Sequence, residues 1–125
     1  MAFAAYYYHA LDWSFATTDS YLIRNLGDPN CKACAHFIDT ITGLRASNQH
    51  VEGGRSSILG TEILDGRSDV VADELIEVKL RQAAGHLVDA GGTVLQRNSA
   101  TDSDVVVYAT WLNGRWWVTE IGSAP

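Results

Sequence analysis

The sequence has 125 residues, 46% of them hydrophobic and 19% charged, with 15 acidic against 9 basic side chains and a formal net charge of -6. A chain of this length buries roughly two thirds of its unfolded surface as one domain, and its composition is that of a globular protein and not of a disordered one. The acidic balance argues against general affinity for nucleic-acid backbones or anionic lipid surfaces, and no apolar run approaches the roughly 20 residues of a membrane span.

The chain opens on a helical pattern. Phe3, Tyr7, Leu11 and Phe15 recur at steps of four, and Ala4, Tyr8 and Ala10 widen the stripe, so one face of a first helix is continuously apolar. No basic n-region, h-region or cleavage site precedes it. The chain is therefore either cytosolic or begins where a signal and linker have been removed. Thr17–Ser20 offers short side-chain oxygens to free amides and starts a second short helix through Tyr21, Leu22, Ile23 and Leu26, closed by Gly27. Asp28-Pro29-Asn30 then opens a third amphipathic stripe through Cys34, Phe37, Ile38, Ile41 and Leu44.

From Val51 the periodicity becomes that of strands. Ile58 to Leu64 leads to the turn dipeptide Asp65-Gly66. In the following run Val70, Ala72, Ile76, Val78 and Leu80 alternate with Asp73, Glu77, Lys79 and Arg81, as in a half-buried strand. Gly85 marks a bulge or a bend, Asp89 to Gly92 a turn, Thr93 to Arg97 a short strand and Asn98 to Ser103 a polar loop. Val105 to Trp111 and Arg115 to Ile121 flank Asn113-Gly114, the strongest short hairpin signal in the chain. Two-residue turns join antiparallel strands, so helices followed by hairpins predict an α+β fold with helices on one face of an antiparallel sheet.

The apolar-aromatic first helix, the short second helix, the Asn48 to Arg55 crossover with Gly53-Gly54, the Leu87 to Val94 hairpin and the closing Gly114 to Ile121 strand together resemble the nuclear-transport-factor-2-like superfamily. The resemblance implies three N-terminal helices, over about residues 1–46, packed on one curved antiparallel sheet over about 51–121: a cone enclosing a ligand cavity within a single domain spanning 1–125. A narrower likeness rests on Ala16-Thr17-Thr18-Asp19, the second helix and Pro29 to Cys34. These segments are similar to actinobacterial lipoprotein domains of unknown function, which implies a cell-envelope or secreted domain behind a lipidated cysteine and a Ser/Thr/Pro-rich linker.

Cys31 and Cys34 are the only cysteines. A C-x-x-C pair at a helix start suits a dithiol oxidoreductase, but such motifs follow a strand and this one follows a helix. Zinc needs four ligands, and His9, His36, His50 and His86 are scattered over different elements. A structural disulfide, which needs an oxidising compartment, is the reading carried forward. Neither a metal nor a cofactor is expected. Gly53 to Ser57 lacks the lysine and the following helix of a phosphate loop.

The expected pocket is lined by Tyr7, Leu11, Trp111 and Val118, where the first helix would meet the last hairpin, with Glu74 and Glu120 in phase with inward residues. Trp116 and Trp117 must point to opposite faces of their strand, so one of them is available on the outer face to a second copy of the chain or another partner. The expected role is non-enzymatic: binding of a small hydrophobic ligand or an envelope protein, with no nucleic-acid partner. The alternative is an isomerase, dehydratase or hydrolase using an inward carboxylate of raised pKa, such as Glu74, Glu120 or Asp39.

Overall fold

A computed structural model describes residues 2–64 and 71–123. Helix α1 (Ala2–Thr17), the short α2 (Tyr21–Arg24) and α3 (Lys32–Ala46) precede β1 (His50–Gly53), β2 (Ser56–Leu64), β3 (Glu74–Gln82), β4 (Gly85–Val88), β5 (Val94–Asn98), β6 (Thr101–Leu112) and β7 (Arg115–Ser123). The strands form two antiparallel sheets, ordered β1-β4-β5 and β2-β3-β6-β7.

This arrangement corrects the expectation of three helices on one curved, cone-like sheet. The α+β content is present, but among the described residues seven strands dominate and they divide into two sheets. The division has a local cause. Strands β1 and β2, and β3 and β4, pass between the sheets at the same level, where Gly54 N donates to Ala84 O at 3.1 Å and Ala83 N to Arg55 O at 3.0 Å. Gly53 sits at φ +70, and a Cβ on Gly85 would lie 2.6 Å from Gly54 N. Only glycine lets two backbones approach this closely while turning.

The alternation across Ile76, Val78 and Leu80 places those side chains opposite Val107, Val105 and Ser103. With Ala109 and Val118 they form the inner face of the four-stranded sheet, which packs against Ala4, Tyr7, Tyr8 and Leu11 of α1, Ile23 of α2 and Ile41 of α3. Each fully buried Val or Ile contributes about 1.5–3 kcal/mol relative to exposure. The free edge of β7 is partly covered by the chain after α2: Val118 N donates to Leu26 O and Asp28 N to Val118 O, both at 2.7 Å. Asp12 ties α1 to the start of β2, its carboxylate accepting from Ser56 N at 2.7 Å and Ser56 Oγ at 2.9 Å.

The Asn113-Gly114 hairpin forms with both residues at positive φ, 54 and 81, as a two-residue turn between twisted strands requires. The segment read as a polar loop from Asn98 to Ser103 instead carries β6 back to Thr101, because its polar side chains lie on an exposed ladder with β3. The turn expected at Asp65-Gly66 lies outside the described residues.

Candidate functional site

The inner face of the four-stranded sheet is covered unevenly along its length. At the Leu80 end, the side chains that α1 and α3 lay over it leave a cleft of about 470 Å³. Its apolar walls are Tyr8, Leu11 and Phe15 of α1, Phe37 of α3, Leu80 of β3 and Val105 of β6. Gln82, Asn98, Ser99, Thr101 and Ser103 supply polar atoms at one side, and the backbone of Gly53, Gly54 and Gly85 closes another. A volume of this size, apolar with a few polar groups at the rim, is that of a small-molecule site.

Tyr8 is 4% exposed, and burial pushes its phenol up to about 12. It is neutral at any physiological pH and acts there as a ring with one hydroxyl, not as a base. Asp12 also reaches the cleft, with both carboxylate oxygens engaged by Ser56.

Of the residues expected to line a pocket, Leu11 lies in this cleft, and Tyr7, Trp111, Val118, Glu74 and Glu120 do not. Tyr7 and Val118 are fully buried and fill the core. Trp111 lies on the inner face at the far end of β6, 53% exposed and edge-on to Trp116 with ring centroids 5.4 Å apart. Glu74 is half-buried opposite Ala109 at that same end, and Asp39 is exposed.

Glu120 has a structural task. Its carboxylate accepts from Lys32 N, Ala33 N and Ile121 N at 3.0, 3.0 and 3.1 Å, which joins β7 to the first turn of α3. Partial burial pushes its pKa up, but the three amides and the nearby Lys32 ammonium outweigh burial and hold it below the usual glutamate range. The electrostatics are those of a helix cap. Trp117 is on the outer face, its indole Nε1 donating to Leu112 O at 3.0 Å and its ring covered by the Arg115 guanidinium at 3.5 Å.

Cys31 and Cys34 form a disulfide with Cα atoms 5.2 Å apart. Both are buried, and Cys31 caps α3, its sulfur accepting from Cys34 N at 3.1 Å. No helix among the described residues is long and apolar enough to cross a membrane, and no group of three potential ligand side chains among them is arranged to hold a metal ion.

The cleft was missed in the sequence because α1 carries two superposed apolar rows. The row through Phe3, Tyr7, Leu11 and Phe15 steps by four throughout, but Ala4, Tyr8, Leu11 and Phe15 also fit the helical period and include Tyr8, which lines the cleft with Leu11 and Phe15.

Helices laid on the inner face of one of two small antiparallel sheets define an α+β class shared with a solved structure, the intermembrane space region of chloroplast protein ARC6. The TM-score is 0.71 at 11% identity, covering 98% of this chain and 91% of that one; at that identity the likeness is one of fold. The chain itself belongs to a family of unknown function, DUF6318, whose profile matches residues 1–122. No curated protein matches the sequence.

Proposed function

We propose that this is a non-catalytic extracytoplasmic domain that binds a small, largely apolar ligand in the cleft between α1, α3 and the Leu80 end of the inner sheet face. The observation that carries this reading is the cleft itself: about 470 Å³, walled by Tyr8, Leu11, Phe15, Phe37, Leu80 and Val105, with hydroxyl and amide side chains on one rim. Such a lining gains affinity from burying hydrocarbon and orients the ligand through the rim. The Cys31–Cys34 disulfide supports a location outside the reducing cytoplasm. The similarity of the Ala16 to Asp19 and Pro29 to Cys34 segments to actinobacterial lipoprotein domains supports a cell-envelope setting behind a lipid anchor.

Catalysis by an inward acid has less support. It needs a carboxyl held above its ordinary pKa, and Glu120, one of the acids in phase with inward residues, is instead held below it by three backbone amides.

The test is saturable binding of a neutral apolar fluorophore, N-phenyl-1-naphthylamine. Ser103 is exposed and faces the cleft, so Ser103→Trp fills the space without disturbing the core. We expect wild type to enhance the fluorescence saturably, Ser103→Trp to lose at least about 1.4 kcal/mol, a factor of ten, and Trp111→Ser at the far end to bind as wild type. Equal binding by Ser103→Trp and wild type would sink the proposal.

A further inference from the structure

Arg24 and Arg45 occupy the last turns of α2 and α3, and the packing of those helices brings both to one surface cleft of about 340 Å³. Among the described residues neither forms an ion pair, although the chain has 15 acidic side chains to choose from. Two exposed guanidiniums lining one concavity, with no carboxylate of the described residues paired to either, leave positive charge there for an anion to neutralise. We propose that this cleft, lined by Arg24, Arg45, Ser20 and Thr42, is a binding site for a small phosphate-type oxyanion.

Both arginines are tethered in ways that leave donors over. Arg24 Nε donates to Ser20 Oγ at 2.6 Å, so its two terminal nitrogens stay available as a fork. Arg45 reaches Thr18 O through one terminal nitrogen at a long 3.4 Å and keeps its other nitrogens. Ser20 is 8% exposed; its oxygen accepts from Arg24, and its own proton remains to donate. The buried side chain of Ile41 forms part of the wall and lowers the polarisability around the charges. Asp19 also lines the cleft, its carboxylate accepting from Tyr21 N at 2.9 Å, so two positive groups face one negative.

Two forks and two hydroxyls offer more donors than the two oxygens of a carboxylate can use, whereas the oxygens of a phosphate can occupy them together. The chemistry suits free phosphate, a soluble phosphomonoester or a phosphomonoester lipid headgroup alike. The site shares no lining residue with the apolar cleft, so either can fail without the other.

The experiment titrates inorganic phosphate into the protein while following the arginine Nε–Hε resonances, with acetate as comparator and phosphatidate-containing vesicles in a parallel sedimentation arm. Saturable shifts at Arg24 and Arg45, with a dissociation constant on the order of 1 mM at low ionic strength, are expected. Affinity should weaken about tenfold in Arg24→Gln and in Arg45→Gln, strengthen in Asp19→Asn, and be at least several-fold weaker for acetate. Arginine-dependent binding to vesicles alone would assign the same chemistry to a lipid headgroup. Absence of arginine-dependent binding in both arms, with every variant folded by its amide spectrum, would overturn the proposal.

Discussion

Glu120 shows how one side chain can join two layers. Its three amide partners belong to α3 and β7, so Glu120→Gln, which keeps one acceptor oxygen and loses the charge, should cost about 1–2 kcal/mol at pH 7. Because the folded-state pKa is lowered, this stability is present above the unfolded glutamate value, near 4.3, and is lost as pH falls through the folded value. Urea midpoints of wild type and Glu120→Gln should therefore converge at low pH, and a gap that stays constant would contradict the assignment. Tyr7 presents the opposite case. Its hydroxyl is buried with no hydrogen-bond partner among the described residues, and burial first, then the neighbouring Tyr8 and Glu120, push its pKa well above the tyrosine range. An unsatisfied buried hydroxyl costs about 1–3 kcal/mol, so Tyr7→Phe should hold or gain stability by thermal denaturation. A loss beyond about 1 kcal/mol would show that the hydroxyl is bonded after all.

Elements with strong local signals were legible in the sequence. The apolar stripes locate α1 and α3, the alternation from Ile76 to Leu80 locates β3, and Asn113-Gly114 fixes the final hairpin. The split into two sheets was not legible. Gly53-Gly54 read as part of a crossover and Gly85 as a bulge or bend, and nothing in their own sequence reveals that the two segments touch; that contact spans roughly thirty residues of chain. The consequence is testable at this scale. A Cβ on Gly85 would stand 2.6 Å from Gly54 N, 2.9 Å from its Cα and 3.0 Å from Glu52 O, all backbone atoms that have no rotamer to change. Gly85→Ala should therefore cost about 1–3 kcal/mol or more, as overpacking does. Gly60→Ala, with nothing within 4 Å, should be far milder. Similar denaturant midpoints for the two variants would mean that the strand crossing is looser than described.

For the whole molecule, the decisive relation is between the sheet's inner face and its uneven cover. The expected pocket gathered Tyr7, Leu11, Trp111 and Val118 where the first helix would meet the last hairpin; the fold sends Tyr7 and Val118 to the filled core, leaves Trp111 exposed beside the half-buried Trp116, and places Leu11 in the cleft. Sequence periodicity identifies which residues face inward; it does not say how far the helices extend along the sheet, since that depends on where α1 is tied, here by Asp12 to Ser56. The cleft at the Leu80 end follows from that placement. Amide chemical-shift mapping during titration with 1-decanol tests it most directly. Saturable shifts centred on Tyr8, Leu11, Phe15, Phe37, Leu80 and Val105 are expected; shifts centred on Trp111 and Trp116, or none that saturate, would contradict a ligand site between α1, α3 and the inner sheet face.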